Sequence, residues 1–330
     1  MTGKSFSLSV PAKLILLRPG QHLYSKPMKR DSSRILIVGY GEMGHAIAHL
    51  LGKNHQLVFY DSRPATGLPT INTEQEAALA DYIFFCVPAS SHLELLTLLA
   101  PHLQKHCISI SIAKGLDEQG RTPAQLFEQT FSGQHPYCLL YGPMISEEIR
   151  ADRYAFAELG CDDLSIYRRV HKLFKGTKLY IKHSNDIVGI SWSVILKNVY
   201  AIAFGIADEL QLGDNMRGHL MMAAMAELTA IVKSLGGEGR TVQGYAGLGD
   251  MVTTATSAGS HHHALGRQLA SGRWEDISGE GVHTLRMVEK YRLIDSQAYP
   301  LFALVRDIVV SPESIKSRMQ SYLDQLGRVP

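Results

Sequence analysis

The chain has few cysteines, almost no net charge and no long uninterrupted apolar run. Its four cysteines form no C-x-x-C pair, which argues against a disulfide framework and is typical of a reducing compartment. Its 33 Lys and Arg nearly balance 31 Asp and Glu, so the net charge of +2 does not suggest a nucleic-acid or membrane-surface partner. The longest apolar runs, such as Ile83 to Pro88, are strand-sized and shorter than the ~18 residues of a membrane span. We therefore expect a cytoplasmic protein with a small-molecule partner, no nucleic acid and no membrane.

Length and composition predict two folded domains behind a short N-terminal extension. Hydrophobic residues make up 45% of the 330 residues and charged residues 19%, which is near the globular average. A single core stops growing at about 250–300 residues. Residues 1–33 are rich in Lys and Arg, which fits either a targeting segment or an extension upstream of a start at Met28. We place the two domains at residues 34–185 and 186–330.

Short apolar runs alternate with helix-length segments from Arg34 onward. Five runs predict strands: Ile35 to Val38, Leu57 to Tyr60, Tyr82 to Val87, Cys107 to Ile112 and Cys138 to Tyr141. Two segments between them predict helices, Ser91 to Ala100 and Thr122 to Thr130. This alternation is typical of an α/β fold with a parallel sheet covered on both faces. Helical spacing then dominates and predicts an all-helical second half, with helices in Ile187 to Leu235, Glu280 to Ile294, from Pro300, and Pro312 to Leu326 before Gly327.

A glycine-rich loop, Gly39-Tyr40-Gly41-Glu42-Met43-Gly44, follows the first predicted strand and opens a helix. Such a loop allows a tight turn, a close approach of backbone to a pyrophosphate, and a helix N-terminus that faces the phosphates. Asp61 ends the second strand at about the spacing expected for a carboxylate that binds the ribose of NAD, although Arg63 could accommodate NADP. The context predicts a Rossmann-type dinucleotide-binding domain that binds NAD, with NADP possible. Pro88, at the end of the third strand, either shapes the nicotinamide pocket or simply ends the strand.

Three polar residues of the helical half are candidates for chemistry. Lys197 lies in a mainly apolar helix, where a lysine needs a partner or a purpose unless it reaches the surface. Asp250 and Thr254 follow the glycine-rich segment Gly244 to Gly249 and could equally cap a helix. Taken singly, none of the three is diagnostic.

Taken together and in order, these segments resemble the NAD(P)-dependent glycerol-3-phosphate dehydrogenase family from about Arg34 to about Val309. The matching segments are the glycine loop, Lys114-Gly115, Gly142-Pro143 with Glu148, Asp186 to Gly189, Lys197 to Asp208, Leu212 to Asn215, the run ending at Asp250, and Glu280 to Val282. The family interconverts dihydroxyacetone phosphate and sn-glycerol 3-phosphate, within carbohydrate and glycerophospholipid metabolism. The resemblance also implies a homodimer formed through the helical half.

The resemblance implies a role for several residues of this chain. Lys197 would protonate the carbonyl oxygen as hydride arrives, with Lys114, Asp250 and Thr254 as the other catalytic residues. Substrate contacts would come from Asn198, Gly142, Ser260, His261 and His262.

Three places depart from the family pattern: Ser191 to Leu196, Ala223, and Ser260 to His263. Where the family has Ser-Arg-Asn-Arg, which binds the substrate phosphate, this chain has Ser260-His261-His262-His263. Histidine offers fewer donors than arginine and is charged only below a pKa near 6.5. The run predicts no metal site, because successive helical residues point about 100° apart. Three hypotheses follow: a glycerol-3-phosphate dehydrogenase, a related enzyme for a non-phosphorylated or carboxylated substrate, or a catalytically silent NAD sensor.

Overall fold

The computed structural model describes residues 32–62, 71–257 and 259–326. From Ser33 onward the described residues form one compact unit. Nearly all of the extension predicted at residues 1–33 lies outside the described residues, as do Arg63 and Gly327.

A seven-stranded sheet in the order β2-β1-β3-β4-β5-β6-β7 forms the first half. Its strands are β1 (Arg34–Val38), β2 (Gln56–Tyr60), β3 (Tyr82–Phe85), β4 (Ile108–Ser111), β5 (Tyr137–Tyr141), β6 (Ala155–Gly160) and β7 (Leu179–Ser184). The helices of this half are α1 (Glu42–Leu51), α2 (Thr73–Leu79), α3 (His92–Leu99), α4 (Pro123–Phe131), α5 (Ser146–Arg150) and α6 (Leu164–Leu173). The carboxyl ends of β1, β3, β4 and β5 meet at one edge, where open α/β sheets bind their ligands.

The five predicted strands, their parallel pairing and the Rossmann-type architecture are confirmed, and two strands that were not predicted extend the sheet. β5 pairs with β6 antiparallel, and β6 pairs with β7 parallel. These last two strands give only three-residue apolar runs in the sequence, because the charged residues Glu158 and Lys182 interrupt them.

The second half is helical, as predicted. It contains α7 (Ile187–Glu209), α8 (Gly213–Ser234), α9 (Asp250–Thr256), α10 (His261–Ala270), α11 (Glu280–Tyr291), α12 (Pro300–Val310) and α13 (Ile315–Leu326). A π-helical turn, Tyr245–Gly249, leads directly into α9. The helix predicted from Pro312 begins three residues later, because Pro312–Ser314 forms a 3-10 turn.

Helix α7 is the centre of the molecule. Every residue from Gly189 to Ala207 is buried, and α7 shares one apolar core with the sheet residues Leu36, Val38 and Phe85. By length and composition this helix could cross a membrane, a property that the sequence hides because Ser, Lys and Asn interrupt the apolar run. Among the described residues it is the one helix of this kind, its mean hydropathy is 1.6, and 89% of the stretch is buried inside the protein. A core helix passes the same test of length and composition.

Candidate active site

Four candidate residues from separate parts of the chain meet where the carboxyl edge of the sheet faces α7. Lys114 follows β4, Lys197 lies near the middle of α7, and both Asp250 and Thr254 belong to α9. The Asp250 carboxylate joins the group, because its Oδ2 atom lies 2.8 Å from Lys114 Nζ and 3.1 Å from Lys197 Nζ. We call these four residues the lysine cluster.

The remaining donors of the lysine cluster are also used. Lys197 Nζ donates to Thr254 Oγ1 at 2.5 Å, and the Thr254 hydroxyl donates to the Asp250 carbonyl at 2.7 Å. Lys114 Nζ donates to the Gly142 carbonyl at 2.9 Å, directly after β5. Lys197 is only 5% exposed, so it does not reach the surface. The surface-lysine alternative for Lys197 is therefore wrong.

Burial and charge act in opposite directions on this cluster. Burial lowers the pKa of Lys197 to about 8, although the Asp250 carboxylate opposes the shift. Burial would raise the pKa of Asp250, but the Lys114 and Lys197 ammonium groups outweigh it and hold that pKa below its ordinary value. The cluster thus contains an ionised aspartate beside a lysine that exchanges its proton near neutral pH.

A second carboxyl group, Glu280 at the start of α11, lies beside the cluster. The Asn198 amide donates to the Lys114 carbonyl at 3.1 Å and to Glu280 Oε2 at 3.4 Å. Burial raises the pKa of Glu280, and Lys197 and Lys114 oppose that shift. Glu280 has no predicted role, because only the fold brings α11 against α7. The available signals were its place in the segment Glu280 to Val282, which resembles the family, and an acid between two glycines at a predicted helix start.

The three histidines at the start of α10 point to different surroundings. His262 is half-buried; burial lowers its pKa to about 3, and the Lys197 and His261 charges act in the same direction. His261 is exposed, and the Ser260 hydroxyl caps α10 by accepting from His263 N at 3.3 Å. His263 binds Asp208 at 2.7 Å on α7. Among the described residues no three His, Cys, Asp or Glu side chains are grouped as metal ligands.

The glycine loop lies at the same edge of the sheet, after β1. Gly39 has a φ of +94°, and a Cβ on Gly44 would lie 2.1 Å from the Gly39 carbonyl, so both positions need glycine. No described side chain caps the α1 N-terminus at Gly41. Asp61 accepts from Tyr40 N at 2.8 Å and so lies against the loop. This narrow turn, with an acid beside it and backbone N–H groups at a helix start, fits a dinucleotide.

Other predicted loop residues have structural contacts. The Glu42 carboxylate accepts from Ser146 Oγ at 3.1 Å and from Arg150 Nη1 at 3.0 Å, which ties α1 to α5. The Tyr40 ring lies 4.5 Å from that of Phe59. Met43 packs against the apolar core between the sheet and α1.

A cavity of about 300 Å³ opens between the carboxyl edge of the sheet and the start of α11. Pro88 lines it from the sheet, and Gly115 and Glu280 line it next to the lysine cluster. His283 and Arg286 add polar groups from α11. Pro88 therefore borders a cavity as well as following a strand.

A Rossmann domain with a dinucleotide loop, joined to a helical domain that carries a buried lysine and aspartate, defines a nicotinamide-dependent dehydrogenase. Two family models match the chain: the NAD-dependent glycerol-3-phosphate dehydrogenase N-terminus over residues 68–166, and the C-terminus of the same family over residues 186–320. The chain belongs to the NAD-dependent glycerol-3-phosphate dehydrogenase family.

Individual relatives are distant. The chain is 28% identical over 323 residues to a glycerol-3-phosphate dehydrogenase (NAD(P)+) of Agrobacterium fabrum, covering 90% of this chain and 98% of that one. It is 33% identical to a second such enzyme, from Sphingopyxis alaskensis, over 64% of this chain and 63% of that one. The crystal structure of glycerol-3-phosphate dehydrogenase from Coxiella burnetii superposes with a TM-score of 0.76 at 24% identity, covering 90% of this chain and 99% of that one. This last likeness concerns the fold alone.

Proposed function

We propose that the chain is an NAD(P)-dependent dehydrogenase that interconverts dihydroxyacetone phosphate and sn-glycerol 3-phosphate. The observation that carries this proposal is Lys197, buried in α7, with its ammonium group on the Asp250 carboxylate and its pKa near 8. A ketone that accepts hydride needs one proton and a positive environment for its oxygen, and this lysine supplies both. Family membership and the named relatives support the same activity.

Each residue of the lysine cluster has a distinct part in the proposed reaction. Lys197 donates its proton to the carbonyl oxygen of the substrate, and in the reverse direction it accepts the proton of the alcohol. Asp250 keeps Lys197 charged against the effect of burial, and Thr254 fixes the direction of its ammonium group. Lys114 adds a second positive charge beside the developing oxyanion. Asn198, Gly142 and Glu280 line the site around these groups.

NAD or NADP supplies the hydride when bound. We assign the dinucleotide to the loop Gly39 to Gly44 and its ribose to Asp61, which favours NAD because a carboxylate repels the extra phosphate of NADP. The cavity beside Pro88 and Gly115 would receive the nicotinamide end next to the lysine cluster.

A second candidate function differs in the substrate. His262 is neutral at physiological pH, and His261 is exposed. The Asp250 carboxylate offsets part of the positive charge of Lys114 and Lys197, and a second carboxyl group, Glu280, lies beside them. A phosphate dianion needs more positive charge than this arrangement supplies, unless His261 or Arg286 provides it. A related dehydrogenase for a carboxylated or non-phosphorylated carbonyl compound is therefore the alternative.

We also propose the assembly and organisation that the resemblance implies. The chain forms a homodimer through its helical half, as the resemblance to the family implies. Domains at 34–185 and 186–330 are supported by the end of β7 at Ser184 and the start of α7 at Ile187. A cytoplasmic location is supported by four cysteines without disulfides.

NADH oxidation by the purified protein tests the proposal. Dihydroxyacetone phosphate is compared with unphosphorylated and carboxylated carbonyl compounds. Turnover of the phosphate ester, with a lower KM in the His261→Arg variant, supports phosphate binding at the start of α10. Turnover of another compound alone would favour the second candidate. NADH binding with no turnover of any compound would contradict both and favour a silent sensor.

A further inference from the structure

We propose that Glu158 is a positioning residue for Asp250, acting through the π-helical turn that leads into α9. The inference rests on the proposed function, because it concerns the same site. Glu158 contacts Ala246 and Gly244, which lie outside the lysine cluster. Substitutions at these positions therefore test the inference without changing the cluster itself.

Glu158 lies between the two backbone segments that hold the lysine cluster. In the antiparallel pairing of β5 with β6, Glu158 is the partner of Tyr141, the residue before the Gly142 carbonyl that binds Lys114. The side chain of Glu158 extends from β6 to the turn before α9, where its Oε2 atom accepts a hydrogen bond from Ala246 N at 2.9 Å. Ala246 belongs to the turn Tyr245–Gly249, and Asp250 follows directly after this turn. One side chain therefore connects the strand pair beside Lys114 to the turn beside Asp250.

The contact depends on the absence of a side chain at Gly244. A Cβ at that position would lie 2.2 Å from Glu158 Oε1 and 2.7 Å from Oε2. Gly244 also closes the turn, because its carbonyl accepts from Gly249 N at 3.1 Å. The carboxylate thus packs against the residue at which the π turn begins.

Side chains of β6 and β7 also contact the turn through the ring of Tyr245. The Tyr245 ring lies 5.6 Å from that of Phe156 on β6, and Lys182 Nζ on β7 lies 4.8 Å from the centre of the Tyr245 ring. Burial raises the pKa of Glu158, while Ala246 N–H and Lys182 lower it. Lys182 thus interacts with both Glu158 and Tyr245 and keeps the strand face and the turn together.

The turn affects the two lysines through the position of Asp250. Asp250 is the first residue of α9, and its Oδ2 atom lies within 3.1 Å of both ammonium groups. Because charge interactions weaken with distance, releasing the turn reduces the support that Asp250 gives to the charged form of Lys197. A misplacement of about 1 Å in a catalytic group costs up to roughly 100-fold in rate. We expect a 10- to 100-fold loss of kcat on release of the turn, as an order of magnitude from the same principle.

Two substitutions break the contact from opposite sides. Glu158→Ala removes the carboxylate. Gly244→Ala keeps it and displaces it, at small cost to stability, since the far end of a flexible side chain gives way and the backbone at Gly244, with φ −82° and ψ −169°, accepts alanine. Glu158→Gln retains an oxygen for Ala246 N and is the conservative rescue. Gly218→Ala is the matched control, because a Cβ there meets nothing within 4 Å.

The readout is the pKa of Lys197, measured by NMR on protein with 13C-labelled lysine side chains and assigned with the Lys197→Met variant. This measurement does not depend on turnover, so it decides the inference even if no substrate is found. Glu158→Ala and Gly244→Ala should lower the Lys197 pKa and shift the pH profile of turnover downward, with the effect in kcat more than in KM. Glu158→Gln and Gly218→Ala should leave both where they are.

An unchanged Lys197 pKa in folded Glu158→Ala and Gly244→Ala proteins would overturn the positioning role. Loss of folding in both variants would also overturn it, in favour of a structural role. Failure of the proposed function looks different, because then the parent protein itself reduces no carbonyl compound while the Lys197 pKa still responds to the two substitutions.

Discussion

Replacing Lys197 by methionine separates the chemical role of this residue from its effect on stability. The side chain is 5% exposed, and methionine fills similar space without a charge. Burial lowers the pKa of Lys197 from 10.5 to about 8, which at roughly 1.36 kcal/mol per pKa unit is a penalty of about 3 kcal/mol for the charged form. The folded-state pKa lies below the unfolded one, so this penalty is present below pH ~8 and disappears as the pH rises toward 10.5.

The expected result is an inactive protein that is at least as stable as the parent at pH 7. Asp250 loses one partner but keeps Lys114 at 2.8 Å, which limits the cost of the substitution. Loss of the proton donor should lower kcat by roughly 10²- to 10⁴-fold. Urea unfolding, NADH binding and turnover are measured together, with Lys316→Met, an exposed lysine of α13, as the control.

Two results would refute this reasoning. Turnover close to that of the parent would remove Lys197 from the mechanism. A fall in unfolding free energy of several kcal/mol with NADH binding intact would show that the Lys197–Asp250 pair stabilises the fold, contrary to the burial argument.

Three further predictions concern pH, the helical half and the cofactor loop. The rate of carbonyl reduction should fall as the pH rises through about 8, where Lys197 loses its proton, and alcohol oxidation should rise over the same range; rates that stay flat there would contradict the role of this lysine as proton donor. Glu227 accepts from Leu301 N at 2.6 Å and from Phe302 N at 2.9 Å at the start of α12, so Glu227→Ala should lower the unfolding free energy in urea by about 2–3 kcal/mol, and a change under 0.5 kcal/mol would count against this contact. Gly44→Ala places a Cβ 2.1 Å from the loop backbone and should weaken NADH binding at least 10-fold by fluorescence titration, whereas unaltered affinity would separate this loop from the cofactor.

The sequence predicted best where the signal is local. The loop Gly39 to Gly44 has its strand, its helix and its acid within about one βαβ unit, a pattern that a single segment can carry. The strands β6 and β7 were missed because Glu158 and Lys182 cut their apolar runs to three residues. The domain boundaries and the roles of the site residues stay predictions.

In the site as well, residues in recognisable sequence segments were predicted, and residues that act through contacts distant in the chain were not. Lys197 and Asp250 were recognised through a resemblance, and the fold brings them within 3.1 Å of each other. Glu280 lay in a segment that resembles the family but received no role, and Glu158 was not singled out. Each contacts a segment far away in the chain: α11 contacts α7, and β6 contacts the turn before α9. The strand β6, which carries Glu158, was itself not predicted, so its contact with that turn was out of reach of the sequence.

Helix α7 carries Lys197 within an unbroken series of buried residues. The proton donor of the proposed reaction therefore has no loop that could loosen while the rest of the molecule stays intact. On heating, Lys197 should keep its place until the protein melts as a whole, so that any earlier loss of activity would come from another part of the site, such as the turn that leads into α9. Burial also limits which substitutions the chain can accept. A substitution at the exposed start of α10 disturbs the core less than one in α7, so a change of substrate is expected to arise at α10.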